Sequence, residues 1–430
     1  MSSSKGDARM TKLGDSIQGW VVAHCGARDD YQLPLALHEA GQLHKFVTDW
    51  YSPMDRPTLR AFLRNAPNRM GEILERRYRK ELPSRFVKDI KVKGVLKSFI
   101  GSNTSDMRLN RMIGECAMRE VVASDSNLLI TSYYGWAAFP GLPKHKRKVL
   151  FQIHPHPRFL QELFLERFKK CNDRSYFDSE TELKVSDDLL RRWGQESFDA
   201  DLVIAASSFT RRSLVSVGVN PANIHVIPYG VDGTVFRNDV AMPSGKTKIL
   251  FVGQATSRKG FSDLLRTWKR LGDTGAELHI VSATSPEGHQ QNSDGSVVWH
   301  GRLALGDLVA LMNSVDLLVL PSIAEGFGHV LLQSLSCGTP ILCSDATAGP
   351  DLLAGWEDGF VFGAGDWDGL AAQLDYWLVN SDRLRELRRP ARQIAERLSW
   401  DRFRSSIRAA CNGEVSVQSH RTFPTLGNEN

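Results

Sequence analysis

The chain has 430 residues, 42% of them hydrophobic and 24% charged, with a formal net charge of +5. This excludes a disordered or fibrous protein and leaves enough apolar mass for two or three domains with more than one core. No apolar run approaches the roughly 18 residues that span a bilayer, and the polar start "MSSSKGDARMTKLGDSIQ" has no apolar signal core. The six cysteines, Cys25, Cys116, Cys171, Cys337, Cys343 and Cys411, form no CxxC pair. A reduced, cytoplasmic chain without structural zinc is expected.

From Ile17 strands and helices alternate. "GWVVAHC" (19–25) is a short buried strand, "YQLPLALHEAGQL" a helix ending near Gly41, and "HKFVTDWY" the next strand. Residues 54–120 read as mostly helical and basic: between Tyr51 and Arg111 there are 15 Lys/Arg against 6 Asp/Glu, and a second cluster, "KHKRK", lies at 144–148. Such patches face anionic lipid, nucleic acid or phosphorylated substrates, or are solvated helix faces. "SNLLITSYYG" and "KVLFQIHPHP" are strands, and a long polar helical region runs to about 197. "DADLVIAASS", "SFTRRSLVSVG" and "IHVIPYGVD" then give strand, helix and strand. After a polar break at 237–247 the alternation restarts with "KILFVGQ". It runs through "DLLVLPS", "GHVLLQSLSCG" and "PILCS" to a series of helices, the last starting near Trp400. Strands apolar on both faces with helices between them are the signature of parallel sheets in βαβ units. The fold class expected is α/β with two doubly wound domains, over 17–240 and 246–392, flanked by flexible ends at 1–16 and 413–430. The ligand site then lies at the carboxyl ends of the strands, in the cleft between the domains.

Two stretches build that site. In "EGFGHVLLQSLSCGTP" (325–340), Glu325 follows a strand, and Gly326 and Gly328 let the backbone bend and bring bare N–H groups close to a ligand. A helix N-terminus points at the same place. Gln333 lies one and a half turns into that helix. The plain structural alternative is a tight turn with a surface Glu. In "FVGQATSRKGF" (251–261), Arg258 and Lys259 sit at a helix start, where the dipole disfavours cations unless they bind phosphate oxygens. Two such loops in one domain suggest a nucleotide diphosphate between them. "DAD" (199–201), "DWD" (366–368) and "HPHP" (154–157) are read as structural rather than metal-binding, because Asp commonly caps turns and no third ligand accompanies the histidines.

"FVGQATSRKG", "WHGRL", "SVDLLVLPSIAEGFGHVLLQSLSCGTPILCSD" and "DGFVFGAGDWDGLA", in that order, resemble the C-terminal half of the retaining family 4 glycosyltransferases, which have the GT-B fold. "ADLVIAASSFTRRSL" and "VIPYGVDGTVF" resemble the end of that family's N-terminal domain. The similarity is strong over about 199–370. It implies that Glu325 holds donor-sugar hydroxyls and that Gly326, Phe327, Gly328, His329 and Val330 form the loop touching sugar and phosphate. Lys259 with Arg258 would neutralise the diphosphate leaving group, His154 would reach the donor sugar, and Gly26 would belong to the loop near the diphosphate. The helix at about 398–412 resembles the one that packs back on the N-terminal domain. The chain departs from the pattern at Gln333, where the family has a second glutamate for the ribose, at Gln254, where it often has a phosphate-binding Arg, and in "HCGARDD", which lacks a double glycine.

The function implied is retaining transfer of a sugar from a nucleotide diphosphate sugar to a saccharide or lipid-linked saccharide acceptor, in polysaccharide or glycan assembly, with no essential metal and no nucleic-acid partner. The basic segments suggest an anionic membrane surface as a further partner, on the cytoplasmic face. A weakened or non-catalytic homologue and a nucleotide-sugar epimerase are the alternatives.

Overall fold

Strands with apolar side chains on both faces need cover on both sides, and the chain meets this with two parallel sheets wrapped by helices. The computed structural model describes residues 19–57, 68–90, 107–171, 180–237, 245–283, 296–356 and 358–414. The expected flexible segment 1–16, nearly all of the tail 413–430, parts of the basic segment 54–111 and the middle of the break at 237–247 lie outside the described residues.

The first sheet has seven strands: β1 (Trp20–Ala23), β2 (Leu43–Thr48), β3 (Val87–Asp89), β4 (Asn127–Thr131), β5 (Lys148–Gln152), β6 (Leu202–Ala205) and β7 (Ile224–Val226), in the spatial order β3-β2-β1-β4-β5-β6-β7. The second has six: β8 (Lys248–Val252), β9 (Glu277–Val281), β10 (Val297–Gly301), β11 (Leu317–Leu320), β12 (Ile341–Ser344) and β13 (Val361–Phe362), in the order β10-β9-β8-β11-β12-β13. Central strands such as WVVA in β1 and LLVL in β11 are buried along their whole length. Two edge strands escape the sequence pattern. β3 pairs with β2 inside the segment expected to be mostly helical, and β13 is two residues long. Both are short and at sheet edges, so neither carries an apolar run that would mark it.

The chain passes between the domains twice, and the two passages run side by side. Val231 N–H donates to Leu398 O at 2.9 Å, and Val231 bridges in parallel to Ser399. Glycine is required here, because a Cβ on Gly230 would come 2.4 Å from Trp400 N. Ser399 then caps the helix Trp400–Asn412 by accepting from Arg402 N–H. That helix returns to the N-terminal domain and packs on the helix Gln32–Glu39. Arg404 and Arg408 reach Glu39 at 2.9 and 3.1 Å, and Phe403 and Ile407 are buried beneath them. Each of those apolar side chains contributes roughly 1.5–3 kcal/mol.

Tyr229 lies where the three parts meet. Its buried ring is 5.6 Å from Phe151 of β5, 5.2 Å from Phe327, 4.3 Å from His329 and 5.5 Å from Phe403. A second apolar cluster joins the domains: Leu160, Phe164 and Phe209 from the first pack with Ile323, Ala324 and Ala346 from the second.

The "KHKRK" cluster is less of a free basic face than its sequence suggests. Lys146 is 2% exposed with its ammonium on Asp125. Arg147 donates to Ala410 O and Cys411 O at 3.0 Å each, satisfying the last carbonyls of the returning helix. Among the described residues no helix is long and apolar enough to cross a membrane.

Candidate active site

The carboxyl ends of both sheets face one cleft. On the C-terminal side the loop after β11 carries Glu325, whose N–H donates to Ala346 O at 2.9 Å. The turn Ser257–Lys259 after β8 lies beside it, fixed by Ile323 N–H donating to Arg258 O at 2.7 Å. This brings Lys259, Arg258 and Glu325 together. The Lys259 ammonium bonds the Glu325 carboxylate, and Arg258 Nη1 lies 3.6 Å from the same oxygen. Burial, with only 12% of the Glu325 side chain exposed, disfavours its charge, but Lys259 and Arg258 overcome this and bring its pKa down to about 2.

Arg258 has a further partner across the cleft. Its Nε is 3.2 Å from Glu180, a residue of the N-terminal domain. Close by, Glu182 accepts from Tyr133 Oη at 2.8 Å, and Tyr133 is packed 6.2 Å from His154. His154 follows β5. Desolvation, then the charges of Arg258 and Arg28, push its pKa down to about 3. It is therefore a neutral imidazole, able to exchange hydrogen bonds with a hydroxyl without adding charge.

Gly326 works differently from the sequence reading. Its φ is not left-handed; instead a Cβ there would come 2.0 Å from Ile153 O. Its carbonyl accepts from Ser207 Oγ at 2.6 Å and Thr210 Oγ1 at 3.1 Å, both in the N-terminal domain. The glycine thus lets the two domains touch beside His154. Gly328, with φ 86°, does need glycine for its backbone and caps the helix His329–Ser336. Phe327 is buried and belongs to the aromatic contact around Tyr229. Val330 and Gln333 are half-buried on that helix, and Gln254 is exposed in the loop after β8. The Gly26 N–H is engaged by Asp49 Oδ1 at 2.8 Å, and Arg77 binds the same oxygen at 3.0 Å.

The sequence shows "HCGARDD" without a double glycine but gives no role to the residues that follow Gly26. Asp29, Asp30 and Tyr31 have φ of 47°, 51° and 62°, three successive left-handed residues without a glycine. Asp29 Oδ1 reaches His329 Nε2 across the cleft at 3.3 Å. Burial resists ionisation of Asp29, but the His329 hydrogen bond and neighbouring positive charge outweigh it and lower its pKa. The run of charges in "ARDD" directly after a strand was the available signal. Glu180 and Tyr229 gave none.

The metal lookalikes are occupied. Asp201 accepts from Lys148 N–H at 2.7 Å, Asp366 caps the helix Trp367–Val379, and His156 donates from Nε2 to Gly194 O while Nδ1 accepts from Arg158 N–H. Among the described residues no three His, Cys, Asp or Glu side chains are grouped to hold a metal ion.

Two family models match consecutive stretches: "Glycosyl transferases group 1" over 234–394 and "Glycosyltransferase Family 4" over 105–234. Together they run unbroken through about two thirds of the chain. Over these two stretches the chain is similar to glycosyltransferase domains, and its two-sheet architecture is the GT-B fold. Among curated relatives, the D-inositol 3-phosphate glycosyltransferase of Gordonia bronchialis is 28% identical over 47% of this chain and 50% of its own length. The MMP alpha-(1->4)-mannosyltransferase of Mycolicibacterium hassiacum is 30% identical over 46% and 51%. The chain thus spans about half the length of these relatives. Two solved structures share the fold: sucrose-phosphate synthase from Thermosynechococcus elongatus (TM-score 0.68, 16% identity, 92% of this chain and 99% of that one) and Anabaena HepE in complex with UDP and glucose (0.58, 18%, 92% and 99%). Lys259 and Glu325 fall in the group 1 stretch and His154, Glu180 and Tyr229 in the family 4 stretch. The left-handed loop at 29–31 lies before both.

Proposed function

We propose that this protein is a glycosyltransferase that moves a sugar, with retention of configuration, from a nucleotide diphosphate sugar to a saccharide or lipid-linked saccharide acceptor in glycan assembly. The observation that carries the reading is the Lys259–Glu325–Arg258 cluster lying opposite His154 across the cleft. When the donor enters, its diphosphate takes the two cations and frees the Glu325 carboxylate to accept from sugar hydroxyls. His154 positions the ring. The bond from the anomeric carbon to the phosphate oxygen breaks, and the bond to the acceptor oxygen forms on the same face. The acceptor's proton passes to the leaving phosphate. Catalysis is electrostatic: cations and helix N-termini stabilise the charge developing on that phosphate, and contact between the domains excludes water. No residue acts as a covalent nucleophile and no metal is required. HepE, solved with UDP and glucose, makes UDP the first donor base to try.

The test is a thermal-shift series with UDP, GDP, ADP and CMP at about millimolar concentration, where a micromolar ligand raises stability clearly. It is followed by NMR of the product's anomeric proton. One responding diphosphate with a retained anomer supports the reading; no response from any, or inversion, sinks it. Turnover without an acceptor would instead indicate an epimerase. Pull-down on anionic vesicles at low salt tests placement at the inner membrane face.

A further inference from the structure

The cations on the C-terminal side of the cleft already have carboxylate partners. Arg258 is shared between Glu180 and Glu325, and Lys259 is on Glu325. Arg28, on the N-terminal side, differs. Its Nε is buried with no acceptor, and among the described residues no carboxylate stands at ion-pair distance from it, although its charge helps lower the pKa of the adjacent Asp29. Around it are other buried polar atoms without partners. His24 Nε2 belongs to a side chain that is 0% exposed, and Asp29 Oδ2 is buried without a partner while its Oδ1 meets His329. Arg28 stands close enough to His24 and His154 that its charge helps keep both imidazoles neutral.

The backbone holding Arg28 is expensive. Three consecutive left-handed residues follow it, and L-residues avoid that region. The surroundings enforce it: Tyr31 is buried against Phe46 and Tyr51 with ring distances of 5.8 and 5.4 Å, Asp30 pairs with Arg79, and Asp29 pairs with His329. Strain retained beside a cleft, together with a buried guanidinium Nε that has no acceptor, points to a binding role. The planar fork of an arginine fits the oxygens of a phosphate or carboxylate.

We infer that Arg28 and the strained turn behind it form an anion subsite on the N-terminal side of the cleft, separate from the Lys259 cations, which selects an acceptor bearing a phosphate or carboxylate. The inference rests on the nucleotide-sugar reading of the opposite side. The same chemistry could come from the donor's own diphosphate, and the experiment separates the two.

Thermal shifts are recorded for wild type, Arg28→Gln and Arg28→Lys, with inorganic phosphate at tens of millimolar, with UDP, and with phosphate added to UDP-saturated protein. Wild type is expected to gain a further phosphate-dependent shift on top of UDP. Arg28→Gln should lose at least tenfold in apparent phosphate affinity while keeping its UDP response, and Arg28→Lys should keep part of the phosphate effect. Because Arg28 Nε is buried without an acceptor, which costs stability, the unliganded melting temperature of Arg28→Gln should equal or exceed that of wild type. If Arg28→Gln instead weakens UDP tenfold, the subsite reads the donor's diphosphate and the acceptor assignment is overturned. If phosphate adds nothing in wild type, or acts equally on Arg28→Gln, or if Arg28→Gln melts several degrees lower without ligand, there is no anion subsite at Arg28. A wild type that ignores UDP, GDP and ADP alike but responds to phosphate through Arg28 sinks the donor reading alone.

Discussion

The two walls of the cleft are made differently. On the C-terminal side each functional side chain sits on a relaxed strand–turn–helix unit with its charge neutralised: Lys259 on Glu325, and Arg258 between Glu325 and Glu180. On the N-terminal side the loop after β1 is held in three left-handed conformations, and polar atoms of His24, Arg28 and Asp29 are left unmatched. One wall stores its ligand chemistry as internal ion pairs that a substrate exchanges. The other stores it as unmatched polar atoms, the Arg28 Nε donor and the Asp29 Oδ2 acceptor among them, on a strained backbone. The first can be empty at little cost and is suited to a donor that comes and goes. The second is destabilised until filled, so it contributes selectivity.

Substitutions should separate the walls. The largest effect is expected from Lys259→Ala, which removes the cation facing the leaving group and leaves Glu325 buried without its nearest counter-charge. A fall of about 10²–10³ in kcat, or roughly 3–4 kcal/mol, is expected in steady-state assays. An unchanged kcat would mean that the donor wall is elsewhere.

Acidification acts next. Glu325 has its pKa depressed from 4.5 to about 2, so the stability it contributes is present above pH 4.5 and lost as pH falls toward 2; at most this is on the order of 3 kcal/mol. His154 has its pKa depressed from 6.5 to about 3, so the unfolded chain takes up its proton first and stability falls from pH 6.5 downward. Urea midpoints should show a His154-dependent decline below pH 6.5, and His154→Gln should make the decline between pH 6.5 and 3 shallower. A slope unaltered by that substitution would show that His154 is not the neutral, desolvated group described.

Gly326→Ala tests the contact between the walls. Its Cβ would meet Ile153 O at 2.0 Å, so a loss of roughly 1–3 kcal/mol is expected, together with a larger radius of gyration in solution scattering. A compact, equally stable variant would contradict the close approach. The smallest effect belongs to Gln333→Glu, which restores a charged acceptor on the helix facing the donor. It should lower the donor KM about fivefold, near 1 kcal/mol, with kcat little changed. No change in KM would show that Gln333 does not touch the donor.

The C-terminal wall was readable in advance because its chemistry is written contiguously. "EGFG" and "SRKG" each place charge, glycine and helix start within a few residues, and the strands before them are uniformly apolar. The N-terminal wall was read only at its ends, Gly26 and His154. Its decisive feature is conformation: nothing in "RDDY" signals left-handed backbone, because the residues that enforce it, Tyr51, Arg79 and His329, are remote in sequence. Glu180 was missed for the same reason, since a lone glutamate in a polar stretch acquires meaning only when another domain brings Arg258 to it. β3 and β13 were missed because short edge strands need no apolar alternation. The opposite error occurred at "KHKRK", where a charge run suggested an outward face and folding used Lys146 and Arg147 internally.

The paired passage at Val231 and Ser399 has a mechanical consequence. A single covalent tether would act as a swivel, leaving two bodies free to rotate about three axes. Two tethers lying side by side and hydrogen-bonded act as a strap: they flex readily in one plane and resist torsion. Whatever opening the cleft undergoes is thereby confined near a single axis. Glu180 then returns to Arg258, and Asp29 to His329, along a repeatable path, without a search through rotated arrangements on each cycle.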